Sequence, residues 1–329
     1  MSKKYIGSQE NNCVKFVIIG HKRQTEYFKK VLSKGALAHA YLFFGPERVG
    51  KRAFAEGIAK SLLCEKKKRG IESCGTCQSC EKVEAGRHEN ITVLSVSETL
   101  LSKKEERKDI PIEDIRELKR MLSFAPAGDA WRIIIVDGAE RLSVPAANAF
   151  LKILEEPSVQ TIFFLISSEP EYVLATIRSR AQGIYFSLVS SDEISEFLAS
   201  ESVSKSRHGE IIRVAAGRAG VAVLAAREKS EFEEEKKFLE SVEAALSKGA
   251  PHFFPFTERA ASDEGTRVRA AREVLRILER RMQEEGDFGR ALAIAKKVKN
   301  VVRIRDVMTQ TNVNPRMSLD LIFIEGAGV

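Results

Sequence analysis

The sequence predicts an α/β module built on a parallel sheet, followed by two units made of helices alone. Three observations carry that expectation. Short apolar runs alternate with four-residue apolar periodicity from about Lys15 to Leu188, the pattern of strands joined by crossover helices. A Gly-x4-Gly-Lys loop joins the first clear strand to a helix. After Leu188 the strand pattern stops and only helical periodicity remains.

The elements follow in order. Tyr41-Leu42-Phe43-Phe44 is a buried strand feeding a loop at Gly45. Phe54, Ile58 and Leu62, with Ala55, Ala59 and Leu63 beside them, mark one face of a helix. Ile91 to Val96 is a second strand. Ile112, Ile115, Leu118 and Leu122 mark a helix with Pro111 near its start. Trp131 to Val136 is a third, β-branched strand. Ala146 to Glu155 is helical and is stopped by Pro157. Thr161 to Ile166 is a fourth strand, Tyr172 to Arg178 a short helix, and Ile184 to Leu188 a fifth strand. Ser190 to about Ser230 reads as a small helical unit, with a turn or helix start at Ala216 to Gly220. Further helices cover Phe232 to Ser247, Thr266 to Glu284, Phe288 to about Val301 and Met317 to Ile324. Breaks at Gly249-Ala250-Pro251 and at Gly286 separate them. The predicted units are therefore 1–188, 189–230 and 231–329.

The chain has 329 residues and a formal net charge of +7. A basic balance suits a nucleic-acid partner, although scattered Lys and Arg also serve solubility. No apolar run approaches the roughly 20 residues of a membrane span. The early run Phe16 to Ile19 is too short for a signal-peptide core. The expectation is a cytoplasmic protein with no membrane partner. Five cysteines, an odd number, argue against a disulfide framework in such a chain.

The loop from Gly45 to Arg52 lies between a strand and a helix, as a phosphate-binding loop must. Its backbone N–H groups and the helix N-terminus would face phosphate, with Gly45, Gly50 and Lys51 as the nucleotide-contacting residues. The residue after Lys51 should be Ser or Thr, whose hydroxyl ligates Mg²⁺. Here it is Arg52, which has no lone pair to offer and brings a charge to the cation's place. The third strand runs into Asp137, where such proteins hold Mg²⁺, but Gly138 stands where a water-polarising Glu is needed. Hydrolysis is therefore not expected, and nucleotide binding at this degenerate site is left open.

Cys64, Cys74, Cys77 and Cys80 carry a second expectation. The last three have two-residue spacing. Four thiolates complete a closed tetrahedral Zn²⁺ site with no position for water, so the metal would be structural. Cys13 lies outside the pattern and reads as a plain thiol, and the basic run Lys66 to Arg69 as a solvated linker. His39 and His88 pair with no other histidine at ligand spacing and read as surface or packing residues.

Taken together, these segments resemble the clamp-loader branch of the AAA+ family in bacterial DNA polymerase III. The resemblance rests on His39 to Phe43 leading to the phosphate loop, the four-cysteine insert and Ile133 to Glu140. It extends through Ala146 to Pro157, Phe163 to Pro170, Ile177 to Arg180 and Asn312 to Arg316. It implies an AAA+ module with a zinc insert at about 64–80, a helical lid and a helical collar that joins subunits into an open ring. It implies γ/τ and δ subunits, a sliding clamp and primed DNA as partners. Ser179-Arg180-Ala181 corresponds to the family's Ser-Arg-Cys motif, making Arg180 an arginine finger acting on a neighbouring subunit. The sensor-1 position falls at Ser167 or Ser168, and Gly220 stands at about the place of the sensor-2 Arg. The resemblance therefore implies a subunit that does not hydrolyse ATP and completes another subunit's site. The alternatives are an active loader ATPase and a zinc-dependent DNA-binding protein.

Overall fold

The computed structural model describes residues 18–66, 72–96, 109–124, 126, 131–157, 160–311 and 313–327. Cys13 and most of the 66–69 basic run lie outside them. The chain falls into two compact units, Met1–Ala226 and Arg227–Val329.

The first unit opens with α1 (Lys22–Lys34), β1 (Ala40–Phe44), α2 (Lys51–Leu63), α3 (Gln78–Glu84) and β2 (Ile91–Leu94). It continues with α4 (Ile112–Leu122), β3 (Arg132–Asp137), α5 (Val144–Glu155), β4 (Thr161–Ser167), α6 (Ala175–Arg178) and β5 (Gln182–Tyr185). The five strands form one sheet in the order β2-β3-β4-β1-β5, every pairing parallel. Side chains alternate between the faces of a strand. Tyr41, Phe43, Ile133, Ile135 and Phe164 thus pack with Phe28 of α1 and with Phe54 and Ile58 of α2. Leu42, Ile134, Val136, Phe163 and Leu165 pack on the other face with Leu118 of α4 and with Phe150 and Leu154 of α5. Burial on both faces is why these strands read as continuous apolar runs.

The register fixes the site. Phe44 pairs with Ser167 and with Tyr185, and Asp137 pairs with Ile166. The C-terminal ends of β1, β3, β4 and β5 therefore share one edge, where open α/β sheets bind ligands.

The same unit carries three further helices, α7 (Ser191–Ser200), α8 (Lys205–Ala215) and α9 (Ala219–Arg227). A reciprocal capping box between Ser190 and Glu193 starts α7. Among its described residues the second unit carries helices and no strand: α10 (Lys229–Lys248), α11 (Ala250–Ala261), α12 (Glu264–Glu284), α13 (Phe288–Gln310) and α14 (Pro315–Ala327). Val242, Phe253, Val274, Leu278, Val301 and Phe323 centre its core.

Several elements depart from expectation. The fifth strand is Gln182–Tyr185, two residues earlier than Ile184 to Leu188. Its first residues are polar or glycine because β5 is an edge strand, and a Cβ on Gly183 would lie 3.3 Å from the Phe44 ring. The segment Tyr172 to Arg178 divides into a 3-10 turn at Pro170–Tyr172 and α6. Helices α1, α3 and α11 were not anticipated. The Gly249-Ala250-Pro251 break does end α10, yet Pro251 then occupies the first turn of α11, where its missing N–H costs nothing. Among the described residues no helix is long and apolar enough to cross a membrane.

Candidate functional site

The phosphate loop leaves β1 at Gly45, whose φ of 138° only glycine adopts readily; a Cβ there would lie 2.1 Å from Phe186 O. Gly50, also left-handed at φ 106°, caps α2. The loop is held by the chain's own donors. Lys51 is buried, and its Nζ donates to Gly45 O at 2.7 Å and Pro46 O at 2.6 Å. The ring Nε2–H of His21 donates to Val49 O at 2.8 Å. Burial pushes the His21 pKa below its ordinary value, so the neutral ring makes this bond. From α9, the Gly220 N–H donates to Arg48 O at 2.6 Å. Four of the loop's carbonyls are thus engaged from within the first unit.

Arg52 enters from the first turn of α2. Its Nε donates to Glu56 Oε1 at 2.9 Å, and its Nη1 reaches Asp137 Oδ2 at 3.4 Å. Position 52, where a hydroxyl was expected, thus carries a side-chain cation that meets Asp137. Gly138 follows in a left-handed conformation at φ 87°, which a Glu would adopt only under strain. At the end of β4, Ser168 Oγ donates to Glu140 Oε1 at 3.0 Å, with its N–H on the same oxygen at 3.3 Å. Ser167 is buried, and its Oγ accepts from the Glu169 N–H at 3.1 Å. Of the two sensor-1 candidates, Ser168 is committed to Glu140 and Ser167 to the local turn. At Gly220 a Cβ would lie 2.9 Å from Arg48 O, so this position admits no side chain without movement.

The structure thus brings Gly45, Gly50, Lys51, Arg52 and Asp137 together and keeps Arg180 apart. Gln182 of β5 pairs with Tyr41, four residues before Gly45. That register separates the two ends of β1 by roughly 13 Å at ~3.3 Å per residue. Arg180 precedes β5 at the end opposite the loop. It is partly exposed, with Nη2 donating to Glu155 Oε1 at 2.6 Å and Nη1 to Thr176 O at 3.0 Å.

The cysteines form a separate cluster. The Sγ atoms of Cys64, Cys74, Cys77 and Cys80 all lie within 4.8 Å of one another. Cys74 and Cys80 Sγ are 3.9 Å apart. Four sulfurs around one Zn²⁺ at ~2.3 Å each would stand roughly 3.8 Å apart, so this donor set fits the ion. Backbone N–H groups of Cys74, Thr76 and Cys80 point at the sulfurs of Cys64, Cys74 and Cys77. The Thr76 N–H lowers the Cys74 thiol to about 6. Burial pushes the Cys80 thiol up to about 12. Cys77 also caps α3 by accepting from the Cys80 N–H. A buried Lys60–Glu84 ion pair ties α3 to α2, and Ser79 Oγ donates to Leu63 O at 2.7 Å while also meeting His88 Nε2 at 2.9 Å.

Sequence reasoning missed His21, Glu140 and Glu155. Each acts on a partner distant in sequence, and a single sequence holds no local signal for such a pairing.

With this geometry in view, the family described as DNA polymerase III, delta subunit, matches residues 20–190. The chain belongs to that family. The delta' subunit of Pseudomonas aeruginosa is 38% identical over 143 residues, covering 44% of this chain and 41% of the relative. The delta' subunit of Bacillus subtilis is 31% identical over 173 residues, covering 53% and 49%. The gamma/tau subunit of Mycobacterium bovis is 34% identical over 172 residues, covering 52% and 28%. The chain therefore matches less than half the length of each of these relatives. A solved gamma subunit-related protein from Thermotoga maritima shares the fold, with a TM-score of 0.50 at 18% identity over 92% of this chain and 98% of that one.

Proposed function

We propose that this chain is a non-hydrolysing, delta-prime-type subunit of the DNA polymerase III clamp loader. In this reading it helps load the sliding clamp on primed DNA in the cytoplasm, beside γ/τ-type and δ subunits. Residues 1–188 are the AAA+ module, 189–230 the lid and 231–329 the collar that joins the ring. Cys64, Cys74, Cys77 and Cys80 hold one structural Zn²⁺.

The observation that carries the reading is the contact between Arg52 and Asp137. A guanidinium against the carboxylate expected to hold Mg²⁺ puts a positive charge where the metal would sit and offers no hydroxyl to ligate it, and Gly138 supplies no group to polarise water. Transition-state charge at this loop would go unmatched. Arg180, at the far end of the strands, cannot reach its own loop and suits a neighbour's. There its guanidinium would offset charge developing on the γ-phosphate, an effect of roughly 10³–10⁵ in other phosphoryl-transfer systems. Lys would be a poor substitute because it lacks the planar fork.

The test is Arg180→Ala in a fully assembled loader. Ring assembly should survive while clamp loading and clamp-stimulated ATPase fall; wild-type values for both in an intact ring would reject the finger assignment. The second reading, an active loader ATPase, draws on the match to the gamma/tau relative. Steady-state turnover by the isolated chain, abolished by Lys51→Ala, would establish it instead.

A further inference from the structure

The contact between Arg180 and Glu155 carries one inference further. Helix α5 starts near the ligand edge of the sheet, after β3, and ends at Glu155 on the opposite edge, before β4. Phe150, Ile153 and Leu154 bury its last turns, so the backbone of Glu155 is fixed by the core. Its carboxylate receives Arg180 Nη2 at 2.6 Å while Thr176 O receives Nη1 at 3.0 Å. These two bonds occupy two of the five guanidinium N–H groups. The remaining N–H on each Nη is sufficient for a two-point contact with a phosphate.

We propose that Glu155 is a positioning residue for Arg180, holding the guanidinium in one orientation for the nucleotide of a neighbouring subunit. The proposal rests on the arginine-finger reading. Arg180 has a long, rotamer-rich stem, and a finger acts through placement as much as through charge. The pair is partly exposed, so its coupling is that of a surface ion pair, which corresponds to about a two- to fivefold change in rate.

The experiment uses the complete loader and compares Glu155→Ala, Glu155→Gln, Arg180→Ala and the double variant. Steady-state ATPase is resolved into kcat and KM for ATP, and thermal unfolding of each full chain serves as the folding check. Glu155→Ala should lower kcat about two- to fivefold with KM unchanged. Glu155→Gln, which keeps the accepting oxygen, should recover part of the loss. The double variant should match Arg180→Ala alone, because a positioning residue has nothing left to position. A wild-type kcat for Glu155→Ala, in a loader that Arg180→Ala impairs, would overturn the positioning role and leave the finger reading intact. A double variant slower than Arg180→Ala would overturn it too, since Glu155 would then act by another route. If Arg180→Ala itself changes nothing, the finger reading fails and this proposal fails with it.

Discussion

Arg52 Nη1 lies 3.4 Å from Asp137 Oδ2, joining α2 to the end of β3 across 85 residues of sequence. Two features that look separate in the sequence, an unexpected cation at 52 and the expected acid at 137, form one contact. The pair is about a third exposed, so it is worth at most about 1 kcal/mol of stability. Its consequence is chemical: the carboxylate is engaged by a side-chain cation. Arg52→Thr should therefore unfold in urea within about 1 kcal/mol of the parent chain. The same variant should make any nucleotide binding depend on Mg²⁺, read by calorimetry with and without chelator. Identical binding with and without Mg²⁺ in the variant would show that Arg52 is not what excludes the metal.

Gly138→Glu supplies the missing carboxylate but not a backbone that tolerates it. At φ 87° a non-glycine residue costs roughly 1–2 kcal/mol. The variant should lose about that much in denaturant unfolding and gain no measurable ATPase. Appreciable turnover would mean that the loop is more permissive than its geometry indicates.

Gly220→Ala should disturb the packing of α9 on the phosphate loop. The added Cβ would lie 2.9 Å from Arg48 O, the atom that accepts the Gly220 N–H. A loss of about 1–3 kcal/mol is expected, with faster amide exchange in α9. Stability equal to the parent would show that the contact is slack.

Cys77→Ser removes a sulfur that both faces the cluster and caps α3. Zinc content by elemental analysis should fall from one per chain towards zero. Amide exchange should rise across α3 and its Lys60–Glu84 tie, while the sheet stays protected. Retention of full zinc by the variant would remove Cys77 from the ligand set.

His21 gives the pH dependence a sign. Burial lowers its folded pKa below the unfolded value of about 6.5. The stability it contributes is complete above that unfolded value. It declines as the pH falls, because the unfolded chain takes up the proton first. His88 is shifted the same way, again by burial. The melting temperature should drop between pH 7 and pH 5. His21→Gln, which can still donate to Val49 O, should flatten part of that slope. Parallel slopes for the two proteins would exclude His21 as a contributor.

What the sequence determined by itself is the part of the protein written in local pattern. Short continuous apolar runs marked the strands, a period of 3.6 residues marked most helices, and strand–helix alternation implied a parallel sheet. The strand-to-helix loop at Gly45, Gly50 and Lys51 and the grouping of the four cysteines stood out because phosphate- and metal-binding motifs have fixed spacings. Helix α3 stayed hidden in the cysteine insert because seven residues show too little periodicity. Helix α11 stayed hidden because Gly249-Ala250-Pro251 reads as a break; Pro255 lies inside the helix itself. Only the tertiary structure decided which charges and donors meet. Arg52 reaches Asp137 because the sheet order sets β1 two places from β3. Arg180 meets Glu155 because α5 returns to the edge from which β5 starts, and Gly220 touches Arg48 because α9 packs on the loop. These contacts depend on strand register and helix packing, which are collective properties of the folded chain and leave no trace in the spacing of neighbouring residues.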